Sequence, residues 1–208
     1  MKVVVFGASG KVGRLIVRML LDYDHEVTAF VHGYSPFSKQ PRLKIVKGDI
    51  NNRSDIRKAL LNNEVVISSL GSWGTKTKDI LTQGMTNIIP VMKEFGITRV
   101  VSLTGADALL PQEKLSLLSK TFRFVFSLLA GKIIRDGEKH LELLSESGLD
   151  WTVLRSPVMN DRGSKRFLLK SEHPLPWTTI NREAVAMAMV ELALSMHCIA
   201  EAPIIFRK

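Results

Sequence analysis

The opening of the chain constrains its fold more than any other feature. Four apolar residues, Val3-Val4-Val5-Phe6, run directly into Gly7-Ala8-Ser9-Gly10-Lys11-Val12-Gly13-Arg14. A continuous, β-branched run of this kind suits a strand buried on both faces, as in a parallel sheet. Beyond the glycines, Val12, Leu15, Ile16, Met19 and Leu20 fall on one side of a helix over residues 11–21. Strand, glycine turn and amphipathic helix in immediate succession form the first half of a strand–helix–strand unit.

The rest of the chain repeats that alternation. Strands are expected over residues 26–31, 43–46, 64–69, 99–103 and 151–154, with a short last one at 203–206. Between them come helices at 54–61, N-capped by Ser54, and at 79–95, closed by Gly96 and kinked at Pro90. The second half is less regular. Residues 109–135 read as helical with a break near Gly131, followed by helices at 138–146 and 182–196 and a proline-containing loop at 171–178. The expected class is an α/β doubly wound parallel sheet, with a small irregular substrate-side part toward the C-terminus. No linker composition divides the chain, so a single domain over 1–208 is expected.

Composition narrows the functional classes. The longest apolar run, residues 122–134, is interrupted by Arg123 and Lys132, so no membrane span is expected. A single cysteine, Cys198, excludes an internal disulfide framework and suits a reducing, cytoplasmic setting. The net charge of +9 fits nucleic acid, an anionic membrane surface or a phosphorylated ligand. Because Lys and Arg are scattered rather than clustered, nucleic acid is the least favoured of these.

The spacing Gly7, Gly10, Gly13 between a buried strand and a helix is that of a pyrophosphate-binding loop. The first glycine allows the turn, the second lets a phosphate approach the backbone, and the third lets helix and strand pack closely. The N–H groups that open the helix face the phosphates, giving Gly7, Ser9, Gly10, Lys11 and Val12 as candidate contacts. An acid at the end of the second strand would bind the ribose of NAD and repel a 2′-phosphate. The chain instead reads Ala29-Phe30-Val31-His32-Gly33, with Lys39 and Arg42 beyond. Missing repulsion and nearby cations favour NADP over NAD, with His32 and Lys39 at the 2′-position.

With that loop in place, further segments resemble the atypical short-chain dehydrogenases/reductases of the NmrA-like and biliverdin-reductase-B-like group, which have a Rossmann fold. These are Lys47-Gly48-Asp49-Ile50-Asn51, Ile67-Ser68-Ser69-Leu70-Gly71 and Arg99-Val100-Val101-Ser102-Leu103-Thr104. The most specific is Ser147-Gly148-Leu149-Asp150-Trp151-Thr152-Val153-Leu154-Arg155-Ser156-Pro157, where Ser156 separates an Arg and a Pro that are adjacent in the group. The resemblance places Asp49 and Ile50 by the adenine and Ser69, Leu70 and Gly71 under the ribose. It places Ser102, Thr104, Pro157 and Val158 around the nicotinamide.

Most enzymes of that superfamily use Tyr-x-x-x-Lys to move a proton at the substrate oxygen. The only tyrosines are Tyr23 and Tyr34, and family spacing puts the pair at about Ile133 and Gly137. Weak substitutes are Ser102, Thr104 and His140; the last reads more simply as a surface histidine, and Glu138 and Glu142 as helix surface. Cys198 reads as packing, and no cluster has metal-ligand spacing.

A conjugated acceptor such as a quinone, flavin or linear tetrapyrrole can take a hydride from the cofactor and its proton from water. Phe122, Phe124, Phe126, Leu128 and Leu129 are either a flat apolar wall for such an acceptor or a helix packed on the sheet. The expected activity is therefore NADPH-dependent reduction of a planar acceptor. The alternatives are a non-catalytic redox sensor of NmrA type and, with least support, an epimerase or dehydratase.

Overall fold

A computed structural model of the chain describes residues 1–72, 77–111, 113 and 117–208, with the side chains of 117–119, 122, 126 and 129 outside that description. The elements are β1 (Lys2–Phe6), α1 (Lys11–Asp22), β2 (Glu26–Val31), β3 (Leu43–Lys47), α2 (Arg53–Leu60), β4 (Val65–Ser68), α3 (Ile80–Glu94) and β5 (Arg99–Gly105). They continue with α4 (Leu117–Ser145), β6 (Asp150–Ser156), β7 (Val158–Asn160), β8 (Phe167–Lys170), β9 (Thr179–Asn181), α5 (Arg182–Leu194) and β10 (Ile204–Arg207).

The main sheet has the order β3-β2-β1-β4-β5-β6-β10-β8, parallel except where β8 pairs antiparallel with β10. Strand alternation sends successive residues to opposite faces. Val3 and Val5 face a layer that contains Ile16, Val17 and Leu20 of α1 and Ala184, Ala188 and Met189 of α5. Val4 and Phe6 face Ile56 and Leu60 of α2, Met85 and Ile88 of α3, and Leu141 and Leu144 of α4. Both faces of the sheet are thus covered, which is why the strands read as unbroken apolar runs.

Several sequence expectations are corrected. The N-cap of α2 is Asn52, not Ser54: the Asn52 side chain accepts from the Ser54 N–H at 2.9 Å. An Asx side chain satisfies a free N–H two residues on, which moves the helix start forward. The expected break near Gly131 is absent, and the two helices expected over 109–146 are one, α4, which begins at Leu117; residues 109–111 and 113 are not helical. Glycine disfavours helix only weakly, and burial of Ala130, Ile134 and Leu141 on either side of Gly131 outweighs it. α3 continues through Pro90, which lies on the exposed side. The short strands β7, β8 and β9 were not anticipated, and the extra Ser156 is taken into β6, paired with Gly105.

Candidate functional site

Strand order reverses between β1 and β4, and their diverging carboxyl ends open a crevice of the kind in which parallel sheets receive ligands. Gly7 leaves β1 with φ of +73°, and a β-carbon on it would lie 2.7 Å from the Ser69 carbonyl carbon. A β-carbon on Gly13 would lie 2.2 Å from the Gly7 oxygen, so α1 packs against the turn only because residue 13 is glycine. Gly10 differs: it is exposed, and its β-carbon would meet nothing nearer than the Gly7 oxygen at 3.1 Å. The turn is held by the Gly10 N–H donating to Gly7 O at 3.0 Å and by Arg14 Nε donating to Ser9 O at 2.9 Å. Among the described residues no side chain caps α1, and no acid lies in its first turn. A bare glycine at an uncapped helix start is a donor set suited to a dinucleotide pyrophosphate. Ser9 is half-buried and Lys11 exposed at this point, while the Val12 side chain is in the core.

His32 and Lys39 are exposed beyond the carboxyl end of β2. Arg42 does not join them: it precedes β3 at the amino end of the strands, opposite to the carboxyl end of β2, and there it pairs with Asp24. A groove of about 620 Å³ between α1 and residues 36–40 carries Lys11, Arg14, Arg18 and Arg182, with Asp22 and Asp161 also in its lining. Asp49 is exposed and its carboxylate accepts from the Asn51 N–H at 2.8 Å, while Ile50 packs in the core with Phe30 and Met85. The Ser69 hydroxyl donates to Phe6 O at 3.1 Å, tying the end of β4 to the end of β1. Leu70 packs against the core and Gly71 is exposed.

At the carboxyl end of β5, Thr104 is buried against Gly137, where a β-carbon would come within 2.7 Å of its hydroxyl and 2.8 Å of the Ala108 methyl. One turn further along α4, His140 is fully buried with Nε2 2.8 Å from the Ser102 hydroxyl. The surface reading of His140 is thereby corrected. Burial pushes its pKa down to about 4, only partly offset by the charge of Asp136, so the ring is neutral at physiological pH. Pro157 is buried and Val158 is exposed at the mouth beyond β6. Of the apolar wall, Phe124 and Leu128 are largely exposed, while Phe122, Phe126 and Leu129 lie outside the described side chains. Glu138 is half-buried and ion-paired with Arg123 at 2.6 Å, whereas Glu142 is exposed. Burial raises the Cys198 pKa, as packing rather than nucleophilic character requires.

Two arrangements had no place in the sequence reading. Asp136, buried on α4, accepts from the Ser72 hydroxyl at 2.7 Å and from the Leu81 and Thr82 N–H groups at 3.2 and 2.9 Å, capping α3 from a neighbouring helix. Its signal was the spacing of Asp136 and His140, i and i+4 on one helical side. Arg155 is 1% exposed and donates to both Glu113 oxygens at 2.6 Å and to the carbonyls of Ala108 and Ala202. The signal there was an arginine inside an otherwise apolar strand. Burial pushes the Glu113 carboxyl up, but the Arg155 and Leu110 hydrogen bonds and nearby charges carry it down overall. Among the described residues no His, Cys, Asp and Glu cluster could hold a metal.

A sheet in this order, with a glycine-turned helix start at its reversal point, defines a Rossmann-like α/β fold. The chain belongs to the NAD(P)H-binding family, whose model matches residues 7–195. It is 28% identical over 163 residues to a photosystem II assembly factor, Ycf39, of Cyanophora paradoxa, covering 74% of this chain and 44% of that one. The chain spans less than half the length of this and of another curated relative it matches. Among solved structures it resembles an anaerobillin reductase from Escherichia coli O157:H7 (TM-score 0.81, 19% identity, 99% of this chain and 97% of that one). It also resembles a short-chain dehydrogenase/reductase from Veillonella parvula DSM 2008 in complex with NADP (TM-score 0.79, 20% identity, 99% and 94%). At these identities the two structures share the fold.

Proposed function

We propose that the protein is a single-domain, cytoplasmic NADPH-dependent reductase of a planar conjugated acceptor, working without a Tyr-Lys pair. The carrying observation is Gly137: no side chain leaves α4 at that position without displacing Thr104 or Ala108, so the lysine of the pair has no room. The neighbouring candidate acid, His140, is sealed in the core as a neutral partner of Ser102 and reaches no substrate oxygen from there. An acceptor that needs no proton from the protein is the one this arrangement suits.

In this reading Gly7, Ser9, Gly10, Lys11 and Val12 hold the pyrophosphate through backbone donors at the start of α1. His32, Lys39 and the groove cations Lys11 and Arg14 face the 2′-phosphate; the absence of an acid between Val31 and Leu43 supports NADP. Asp49 and the backbone of Ile50 border the adenine. Ser69, Leu70 and Gly71 run under the ribose. Thr104, Pro157 and Val158 line the nicotinamide side, with Ser102 held beneath by His140. The bound dinucleotide supplies the hydride, and the chain fixes ring orientation and excludes water on the sheet side. The acceptor takes its proton from solvent.

The test is loss of reduced-nicotinamide absorbance when purified protein and NADPH meet a panel of quinones, flavins and linear tetrapyrroles. Turnover with at least one, and preference for NADPH over NADH, is the expected result. Tight dinucleotide binding with no turnover of any acceptor would favour the redox-sensor alternative, to which an assembly factor among the relatives lends support.

A further inference from the structure

α4 presents a second surface that dinucleotide binding leaves unused. Its sheet side carries the buried residues Ala130, Ile134, Gly137, His140, Leu141 and Leu144. On the opposite side, at helical spacing, lie Lys120, Phe124, Val125, Leu128, Lys132, Arg135 and Lys139. Phe124, Val125 and Leu128 are 68%, 55% and 72% exposed, an apolar patch that a protein standing alone in water has reason to avoid.

The charge around that patch has one sign. The sequence has no acid between Glu113 and Asp136. Asp136 is buried beneath α3, and the half-buried Glu138 is paired with Arg123. Exposed acids resume only at Glu142 and Glu146. Among the described residues none of Lys120, Lys132, Arg135 and Lys139 is ion-paired. Between residues 120 and 139 the helix therefore offers about 30 Å of surface, with a short apolar patch at residues 124–128 and cations before and after it.

We propose that this part of α4 lies along an anionic lipid surface. Phe124, Val125 and Leu128 enter the boundary between headgroups and acyl chains, and Lys120, Lys132, Arg135 and Lys139 meet lipid phosphates. The partner must be anionic to match the cations and amphiphilic to receive the apolar side chains. An anionic bilayer offers both at one surface, with lipid phosphates directly above the acyl boundary. No helix among the described residues is long and apolar enough to cross a membrane, so the helix lies on the surface rather than spanning it.

The test is flotation of the full chain with vesicles of phosphatidylcholine alone, and of phosphatidylcholine mixed with phosphatidylglycerol. Binding is expected only to the mixed vesicles and is expected to weaken with salt. Lys132→Gln and Arg135→Gln together should weaken it roughly thirty-fold. Phe124→Ser with Leu128→Ser should abolish measurable flotation while leaving NADPH affinity unchanged, which shows that the fold is intact. Lys93→Gln, an exposed cation on α3, should have little effect. The proposal is overturned if mixed vesicles do not retain the protein, or if the Lys93 variant weakens binding as much as the α4 variants. It is overturned equally if Phe124→Ser/Leu128→Ser floats as the parent does, or if polyglutamate captures the protein and vesicles do not, which would indicate an acidic protein partner.

Discussion

Gly137 lies so close to Thr104 that a β-carbon there would approach its hydroxyl to 2.7 Å. Helix and strand meet at the position where the spacing of a Tyr-x-x-x-Lys pair would put the lysine. Gly137→Ala gains about 1 kcal/mol of helix propensity, while overpacking costs about 1–3 kcal/mol. A net loss of about 1 kcal/mol is expected in urea unfolding. Installing the pair as Ile133→Tyr/Gly137→Lys is expected to give no alcohol or carbonyl turnover, because the lysine stem cannot leave α4 without moving Thr104.

The second prediction concerns pH. Burial holds the His140 pKa near 4 in the folded chain, against 6.5 for the free side chain. The unfolded chain therefore binds this proton more tightly. The contribution of His140 to stability is complete above about pH 6.5 and is lost as pH falls toward 4, about 3 kcal/mol in all. Urea midpoints measured between pH 7.5 and pH 4.5 (both about, to bracket that window) should fall in the parent and flatten in His140→Gln. Equal slopes in the two proteins would remove the buried neutral histidine as the cause.

The glycines of the first loop should separate folding from binding. Gly13→Ala brings a methyl to 2.2 Å from the Gly7 oxygen and is expected to lower Tm by several degrees. Gly10→Glu brings its β-carbon only to 3.1 Å from the Gly7 oxygen, so Tm should fall much less than for Gly13→Ala, while calorimetric titration with NADPH should show binding abolished by the carboxylate set against a phosphate. Unchanged affinity in the Gly10 variant would exclude this loop as the pyrophosphate site.

Arg155 and Glu113 form a buried, two-pronged ion pair. Removing one partner strands the other charge, so Arg155→Met is expected to cost about 3–5 kcal/mol. Arg155→Lys keeps the charge but loses the fork and should recover only part of that, as read from denaturant unfolding.

The sequence announced the sheet with little ambiguity. β1, β2 and β4 are buried on both faces, so their apolar runs are unbroken and their ends fall within a residue or two of the expected positions. The glycine loop was legible because each glycine answers a local backbone demand. The long helix was not. Gly131 is a local signal for a break, but the burial of Ala130 and Ile134 on either side of it is a tertiary effect. β7 and β9, three residues each, pair only with one another and leave too short a pattern to read.

The candidate site divides along the same line. By itself the sequence determined the strand–glycine–helix unit, the missing acid after β2 and the missing tyrosine and lysine, since all three are matters of residue type at a fixed spacing. Only the tertiary structure decided the fate of His140, Asp136, Arg42 and Arg155. Their roles depend on what stands across from them. Ser102 converts a helix histidine into a sealed neutral ring, and the start of α3 turns Asp136 into a cap. Asp24 holds Arg42 at the amino end of the strands, and Glu113 makes Arg155 a buried strut. Contacts between residues far apart in sequence set burial and partner, and these in turn fix the charge state and reach of each side chain.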